Sequence, residues 1–152
     1  MQSFVAILED NSDRLKEMRA CLSELLPSYE HVYFDNASSM VAWFEEHLAQ
    51  VVLISLDHDL PTDGDYGTGR QVADYLAPRP PICPVIVHTS NEFFAPGMIR
   101  VLKDGGWPTL RVYPHSDHNW VRRGWAEQIN KLASGGWILR VHRTTPGTIT
   151  GG

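Results

Sequence analysis

Three apolar runs in this chain end in residues that can do chemistry. Glu9-Asp10 follows Phe4-Val5-Ala6-Ile7-Leu8. Asp57-His58-Asp59 follows Val51-Val52-Leu53-Ile54-Ser55-Leu56. His88-Thr89-Ser90-Asn91 follows Pro84-Val85-Ile86-Val87. Carboxylates are costly to desolvate unless they are paired or bind a metal. Acids gathered at one edge raise one another's pKa unless a cation intervenes, and a hard divalent ion such as Mg²⁺ or Mn²⁺ suits oxygen ligands. Imidazole takes or gives a proton near neutral pH, which suits His58 and His88 to acid–base work. A solvated turn accounts for Thr62 to Asp65, since Pro61 and Gly64 are good turn residues. It accounts poorly for Asp57 and Asp59, which sit right at the end of an apolar run.

The elements that must position these residues follow from the periodicity. The runs at 3–8, 31–34, 51–56, 84–87 and 110–113 are short, apolar and rich in β-branched or aromatic residues, as buried strands are. Between them, apolar residues repeat at helical spacing. Leu15, Met18, Leu22 and Leu25 form one stripe, begun by a cap at Asn11 or Ser12 and stopped by Pro27. Met40, Val41, Phe44 and Leu48 form a second. Val72, Ala73, Tyr75 and Leu76 form a third, ended by the Pro78-Arg79-Pro80-Pro81 segment. Met98, Val101 and Leu102 follow Pro96 and are closed by Gly105-Gly106. Val121, Trp125, Ile129 and Leu132 lie on a fifth helix over 120–132.

Fivefold strand–helix alternation predicts an α/β fold, a doubly wound parallel sheet with helices on both faces. The flavodoxin-like strand order 2-1-3-4-5 is the expected version. It places Glu9-Asp10 beside Asp57 at the switch point between strands one and three. Alternation along each strand points His88 and Thr89 to opposite faces, and likewise Asp57 and His58. Regular strands would then let His58 and His88 meet away from the acids. Residues 1–133 read as one domain and 134–152 as a C-terminal extension. In that extension Trp137, Leu139 and Val141 alternate, which allows an extra edge strand over 137–143 before a flexible tail.

Composition bounds the rest. With 43% hydrophobic and 20% charged residues over 152 positions, the chain is globular and long enough for one real core. A net charge of −5 argues against an extended nucleic-acid surface. No run approaches membrane-spanning length, and residues 1–10 lack the features of a signal peptide. Cys21 and Cys83 have no metal-like spacing and read as buried free thiols. A cytoplasmic location is expected.

The three strand-end motifs together resemble the response-regulator receiver domain over residues 3–133. By that resemblance Asp57 is the phospho-accepting aspartate, Glu9 and Asp10 are the metal-binding acids, the Asp59 carbonyl is a further ligand, and Thr89 is the switch hydroxyl. One departure is the strand-five Lys-Pro pair, which here is Tyr113-Pro114; Lys16, Lys103 and Lys131 all fall on predicted helices. A tyrosine hydroxyl donates a hydrogen bond but brings no positive charge. The other departure is the set of histidines at 58, 88, 115 and 118. Leu56-Asp57-His58-Asp59-Leu60 with Val87-His88-Thr89-Ser90-Asn91 is similar to an offshoot, the cyclic-phosphate-processing receiver domains.

That resemblance implies metal-dependent processing of a phosphoester, a cyclic phosphate above all. Asp57, His88, His58 and Thr89 are the expected catalytic residues, with His88 preferred to His58 as acid or base. Thr89, Ser90, Asn91 and Tyr113 are expected to hold phosphate, and Glu9, Asp10, Asp57 and Asp59 an Mg²⁺ or Mn²⁺ ion. The expected ligand is a phosphate-containing small molecule or a nucleotide end. The alternative is a divergent single-domain receiver, phosphorylated on Asp57 or acting as a partner-binding module in a signalling system.

Overall fold

A computed structural model describes residues 2–114 and 119–138. Its elements run β1 (Phe4–Leu8), α1 (Ser12–Leu25), β2 (Glu30–Phe34), α2 (Ala37–His47), β3 (Val51–Leu56), α3 (Gly69–Leu76), β4 (Val85–Val87), α4 (Ala95–Asp104), β5 (Thr109–Arg111) and α5 (Ala126–Ser134). The strands form one parallel sheet in the order β2-β1-β3-β4-β5. The expected doubly wound fold is therefore the observed one. A π-helical turn, Val121–Trp125, leads directly into α5.

Each face of the sheet carries its own core. Phe4, Ala6 and Leu8 of β1 pack with α2, α3 and α4. Val5 and Ile7 pack with α1, α5 and the π turn. The two cores follow the two-residue period of a strand. One irregularity resets it. Phe4 pairs with Val51 but Val5 pairs with Leu53, so Val52 is an extra residue in β3. Val52 and Leu53 consequently both join the α1/α5 core. Beyond the bulge the alternation is regular up to Leu56.

Helix boundaries obey local chemistry. The Asn11 side chain accepts from the Arg14 N–H at the start of α1, and Asn36 accepts from Ser39 N–H at the start of α2. Gly106, at φ 90°, turns the chain after α4 where an L side chain would be strained. β5 is shorter than expected, ending at Arg111, although Val112 N–H still donates to Val87 O. Pro114 has no N–H with which to extend the ladder. Cys21 and Cys83 are buried free thiols, as expected.

At the C-terminus the structure describes only the first two residues of the expected 137–143 edge strand. Trp137 and Ile138 are helical, and Ile138 is buried in the α1/α5 core. A turn at Gly135–Gly136, with Gly136 at φ 86°, precedes them. The remainder of that expected strand and the tail lie outside the described residues, as do His115 and His118. No described helix is long and apolar enough to cross a membrane.

Candidate functional site

Sheet register assembles the site. Leu8 is paired with Leu56, and Leu56 with Val87. One residue further along, Asp57 N–H donates to Leu8 O and His88 N–H donates to Leu56 O. Glu9, Asp57 and His88 are thus neighbours across three adjacent strand ends. They also share a face, because Ile7, Ser55 and Ile86, two residues earlier on each strand, all point to the α1/α5 side. One ligand atom from each of the three residues lies within 4.8 Å of the others.

This corrects the expectation that His58 and His88 would meet away from the acids. His58 points to the opposite face, stacks on Phe94 at 4.3 Å, and directs Nδ1 to Asp59 Oδ1 at 2.7 Å. His88 is the histidine that joins the acids. Alternation within each strand was read correctly; the phase between strands is set by register, which single strands do not carry.

The His88 ring is held from several sides. Nδ1 lies 2.6 Å from Ser55 Oγ, which itself accepts from Trp125 Nε1–H at 2.9 Å. Trp120 lies roughly parallel at 6.1 Å. Nε2 is 3.3 Å from Glu9 Oε1. Neither of these two atoms has a well-aligned hydrogen bond among the described residues, and both are buried. The other Glu9 oxygen, Oε2, accepts from the N–H groups of Asp10 and Asn11.

Arg14 supplies a positive charge that the sequence reading did not place here. Its guanidinium lies 3.5 Å from Glu9 Oε1 and 3.7 Å from Asp57 Oδ2. A cation in the first turn of a helix opposes the helix dipole. That unfavourable position in α1 was the available sequence signal, and the two carboxylates explain it. Ser55 was the other missed residue; a lone hydroxyl in an otherwise apolar buried strand was its signal.

Burial and charge divide the carboxylates. Burial raises Asp57, and the neighbouring Glu9 charge adds to this against the opposing pull of His88, leaving it at about 6. Burial pushes Glu9 up as well, but His88, the Asn11 N–H and Arg14 outweigh it and hold the carboxyl at about 2. Asp10 is exposed and is raised by partial desolvation and by Glu9.

The other expected residues are placed as follows. Thr89 is fully buried, and its hydroxyl favours the charged form of Asp57 while accepting from Asn91 N–H. Asn91 gives its amide to Asp59 and accepts from the N–H groups of Phe93 and Phe94. Ser90 is exposed, and Tyr113 lies beyond β5 with its ring 5.4 Å from the Arg111 guanidinium. The side chains of Glu9, Asp57 and His88 form a compact group of two carboxylates and an imidazole, to which the side chains of Asp10 and Asp59 do not belong. That donor set still fits a divalent ion, Mn²⁺ better than Mg²⁺.

A family model for the cyclic-phosphate processing receiver domain matches residues 7–104. No curated protein matches significantly. Among solved structures, the chain is similar to the phosphorylated cyanobacterial phytochrome response regulator RcpA. That match has 20% identity, a TM-score of 0.62, and covers 91% of this chain and 95% of the other. A response regulator receiver domain from Rhodospirillum rubrum matches at 16% identity and TM-score 0.60, over 85% and 89% of the two chains. The CheX–CheY–BeF3–Mg²⁺ complex from Borrelia burgdorferi matches at 10% identity and TM-score 0.60, over 88% and 89%. At these identities the structural likeness concerns the fold.

Proposed function

Because this chain belongs to the cyclic-phosphate processing receiver domain family, we propose that it hydrolyses a phosphoester, a cyclic phosphate as substrate class, at the Glu9–Asp57–His88 pocket. The observation that carries this reading is His88. A fully buried imidazole, held by Ser55 and with Nε2 3.3 Å from the Glu9 carboxylate, supports a positioned acid–base role.

In the reaction, water adds to phosphorus and one ring P–O bond breaks, giving a phosphomonoester and a free hydroxyl. Asp57, with a pKa near 6, is suited to take the proton from the attacking water. The Nε2–H of His88 gives a proton to the leaving alkoxide, and Glu9 stabilises the protonated ring. Arg14 faces the place where phosphoryl oxygens gain charge, in the role that the strand-five lysine has in ordinary receivers. Thr89 supplies a hydroxyl beside Asp57.

Glu9, Asp57 and His88 are the residues whose side chains would hold a divalent ion, with Asp10 and the Asp59 carbonyl as further ligands the family resemblance implies. When bound, such an ion adds stabilisation of phosphoryl-oxygen charge. His88 Nε2 cannot ligate an ion while it carries the proton to be donated. Mn²⁺ titration therefore separates its roles: unchanged affinity in His88→Ala marks it as the acid, and weakened affinity marks it as a ligand.

The second reading, a phospho-switch on Asp57, is favoured by the Thr89 hydroxyl beside that carboxylate. Wild type, Asp57→Asn and His88→Ala distinguish the two. Under the hydrolytic reading His88→Ala lowers turnover of cyclic phosphodiesters by about 10²–10⁴-fold. Under the switch reading acetyl phosphate labels wild type and His88→Ala but not Asp57→Asn. Stable labelling without turnover of any cyclic phosphodiester would overturn the hydrolytic reading. We take residues 1–133 as the unit responsible, with 134–152 as an extension.

A further inference from the structure

Two tryptophans bracket the π turn, and both reach the acidic pocket. Trp120 immediately precedes Val121–Trp125, and Trp125 closes it. The Trp125 indole N–H holds Ser55, which lies against His88. The Trp120 ring borders two other members of the pocket. It is roughly parallel to the His88 imidazole at 6.1 Å, and the Arg14 guanidinium lies over it at 5.4 Å. We propose that Trp120 is a positioning residue that holds Arg14 where it meets phosphoryl oxygens, a role that rests on the phosphoester reading of that pocket.

Arg14 needs such a hold. It stands in the first turn of α1, where the helix dipole repels a cation. Its side chain is 28% exposed and so has water to turn into. Its contacts with Glu9 and Asp57 are 3.5 Å and 3.7 Å. Both are longer than a direct charge-assisted hydrogen bond, about 2.7–2.9 Å, so neither carboxylate fixes the guanidinium fork. An indole within about 6 Å attracts a guanidinium through the ring quadrupole, most strongly where water is excluded. Trp120 is only 4% exposed, so its ring is a dry and fixed surface.

The π turn makes this placement possible. Residues five apart on a regular α-helix stand about 140° apart around its axis, so one of the two indoles would face away. Here the Ala126 N–H donates to the Val121 carbonyl, one residue further back than in an α-helix. Each residue of the wider turn then advances by a smaller angle, which brings positions 120 and 125 nearer to one side. Both tryptophans are accordingly buried in the α1/α5 core, together with Val121 and Ile129. Such turns recur at functional sites.

The test is a double-mutant cycle on the full chain with Arg14→Gln, Trp120→Leu and both together. It is read by calorimetric titration with inorganic phosphate in the presence of Mn²⁺ and by turnover of a cyclic phosphodiester. Trp120→Leu should weaken phosphate binding by about tenfold, as expected for a desolvated cation–π contact. It should also lower kcat more than it raises KM. With Arg14→Gln already in place, Trp120→Leu should add less than about twofold. Trp120→Phe keeps a ring face and should retain most of the wild-type affinity, whereas a purely apolar filler would rank leucine with phenylalanine. Coupled phosphate binding without turnover would support the placement of Arg14 and overturn only the hydrolytic reading. No phosphate binding by wild type, additive losses in the double variant, or equal affinities of Trp120→Leu and Trp120→Phe would overturn the assignment. Should Trp120→Leu not fold, nitrogen relaxation of the Arg14 Nε–H in wild type decides. An order parameter approaching the roughly 0.85 of rigid backbone supports the hold, and one below about 0.6 overturns it.

Discussion

Glu9 and Asp57 are adjacent buried carboxylates with opposite effects on stability. Asp57 is raised from 3.8 to about 6, so the folded state holds its proton more tightly than the unfolded chain does. Its ionisation costs stability progressively as pH rises from about 4 to 6, and the full cost persists above that. Asp57→Asn should therefore stabilise the metal-free protein at pH 7.5 by on the order of 2–3 kcal/mol and have little effect at pH 4. Urea unfolding at the two pH values in a chelating buffer checks this, and a loss of stability at both would refute it. Glu9 is lowered from 4.5 to about 2, so its contribution is present above pH 4.5 and fades as pH falls toward 2. Glu9→Gln should destabilise at neutral pH, with the deficit shrinking on acidification. Ser55→Ala belongs at this scale too. It leaves the buried Trp125 N–H without its acceptor, a loss of about 1–3 kcal/mol, and frees the His88 ring. If His88 is the proton donor, the pH profile of turnover should shift in this variant, whereas a purely structural role would leave its shape unchanged.

Among the elements, α3 has the tightest tolerance. Its first residue, Gly69, lies so close to the end of β3 that an added Cβ would stand 1.8 Å from the Asp57 carbonyl oxygen. The Gly69 N–H also donates to the His58 carbonyl at 3.0 Å, tying the helix to the strand end. Backbone is on the other side of this contact, so relief requires moving the helix or the strand end. Gly69→Ala should cost at least the 1–3 kcal/mol typical of overpacking, roughly, and displace Asp57. A lowered melting temperature together with weakened Mn²⁺ binding is the expected signature; lowered melting temperature with normal binding would show that the helix gives way instead. At the start of α1, Asn11 both caps the helix and donates its backbone N–H to Glu9. Asn11→Ala should cost about 0.5–2 kcal/mol in urea unfolding through the lost cap, while the backbone bond to Glu9 survives.

For the whole molecule, two apolar cores share one sheet, and the site lies where the three central strands end. β1, β3 and β4 are each paired on both sides, whereas β2 and β5 are edges. Hydrogen exchange should therefore be slowest at residues such as Ala6, Ile54 and Ile86 and faster along β2 and β5. Comparable protection in β5 and β3 would contradict this ordering. Local pattern determined much of this architecture: the β-branched runs, the helical stripes, the cap at the start of α1 and the acids and hydroxyls at strand ends were legible because each depends on neighbours in sequence. β3 was readable to the residue, Val51–Leu56. What only the tertiary structure decided was the phase between strands. The pairing of Leu8 with Leu56 and of Leu56 with Val87 puts His88, not His58, against Glu9 and Asp57. Arg14 enters from α1, and Ser55 with Trp125 orients the ring across 70 residues of sequence. A side chain's face within a strand follows from a period of two, but which side chains meet between strands follows from hydrogen-bond register, and a shift of one residue reverses every such meeting.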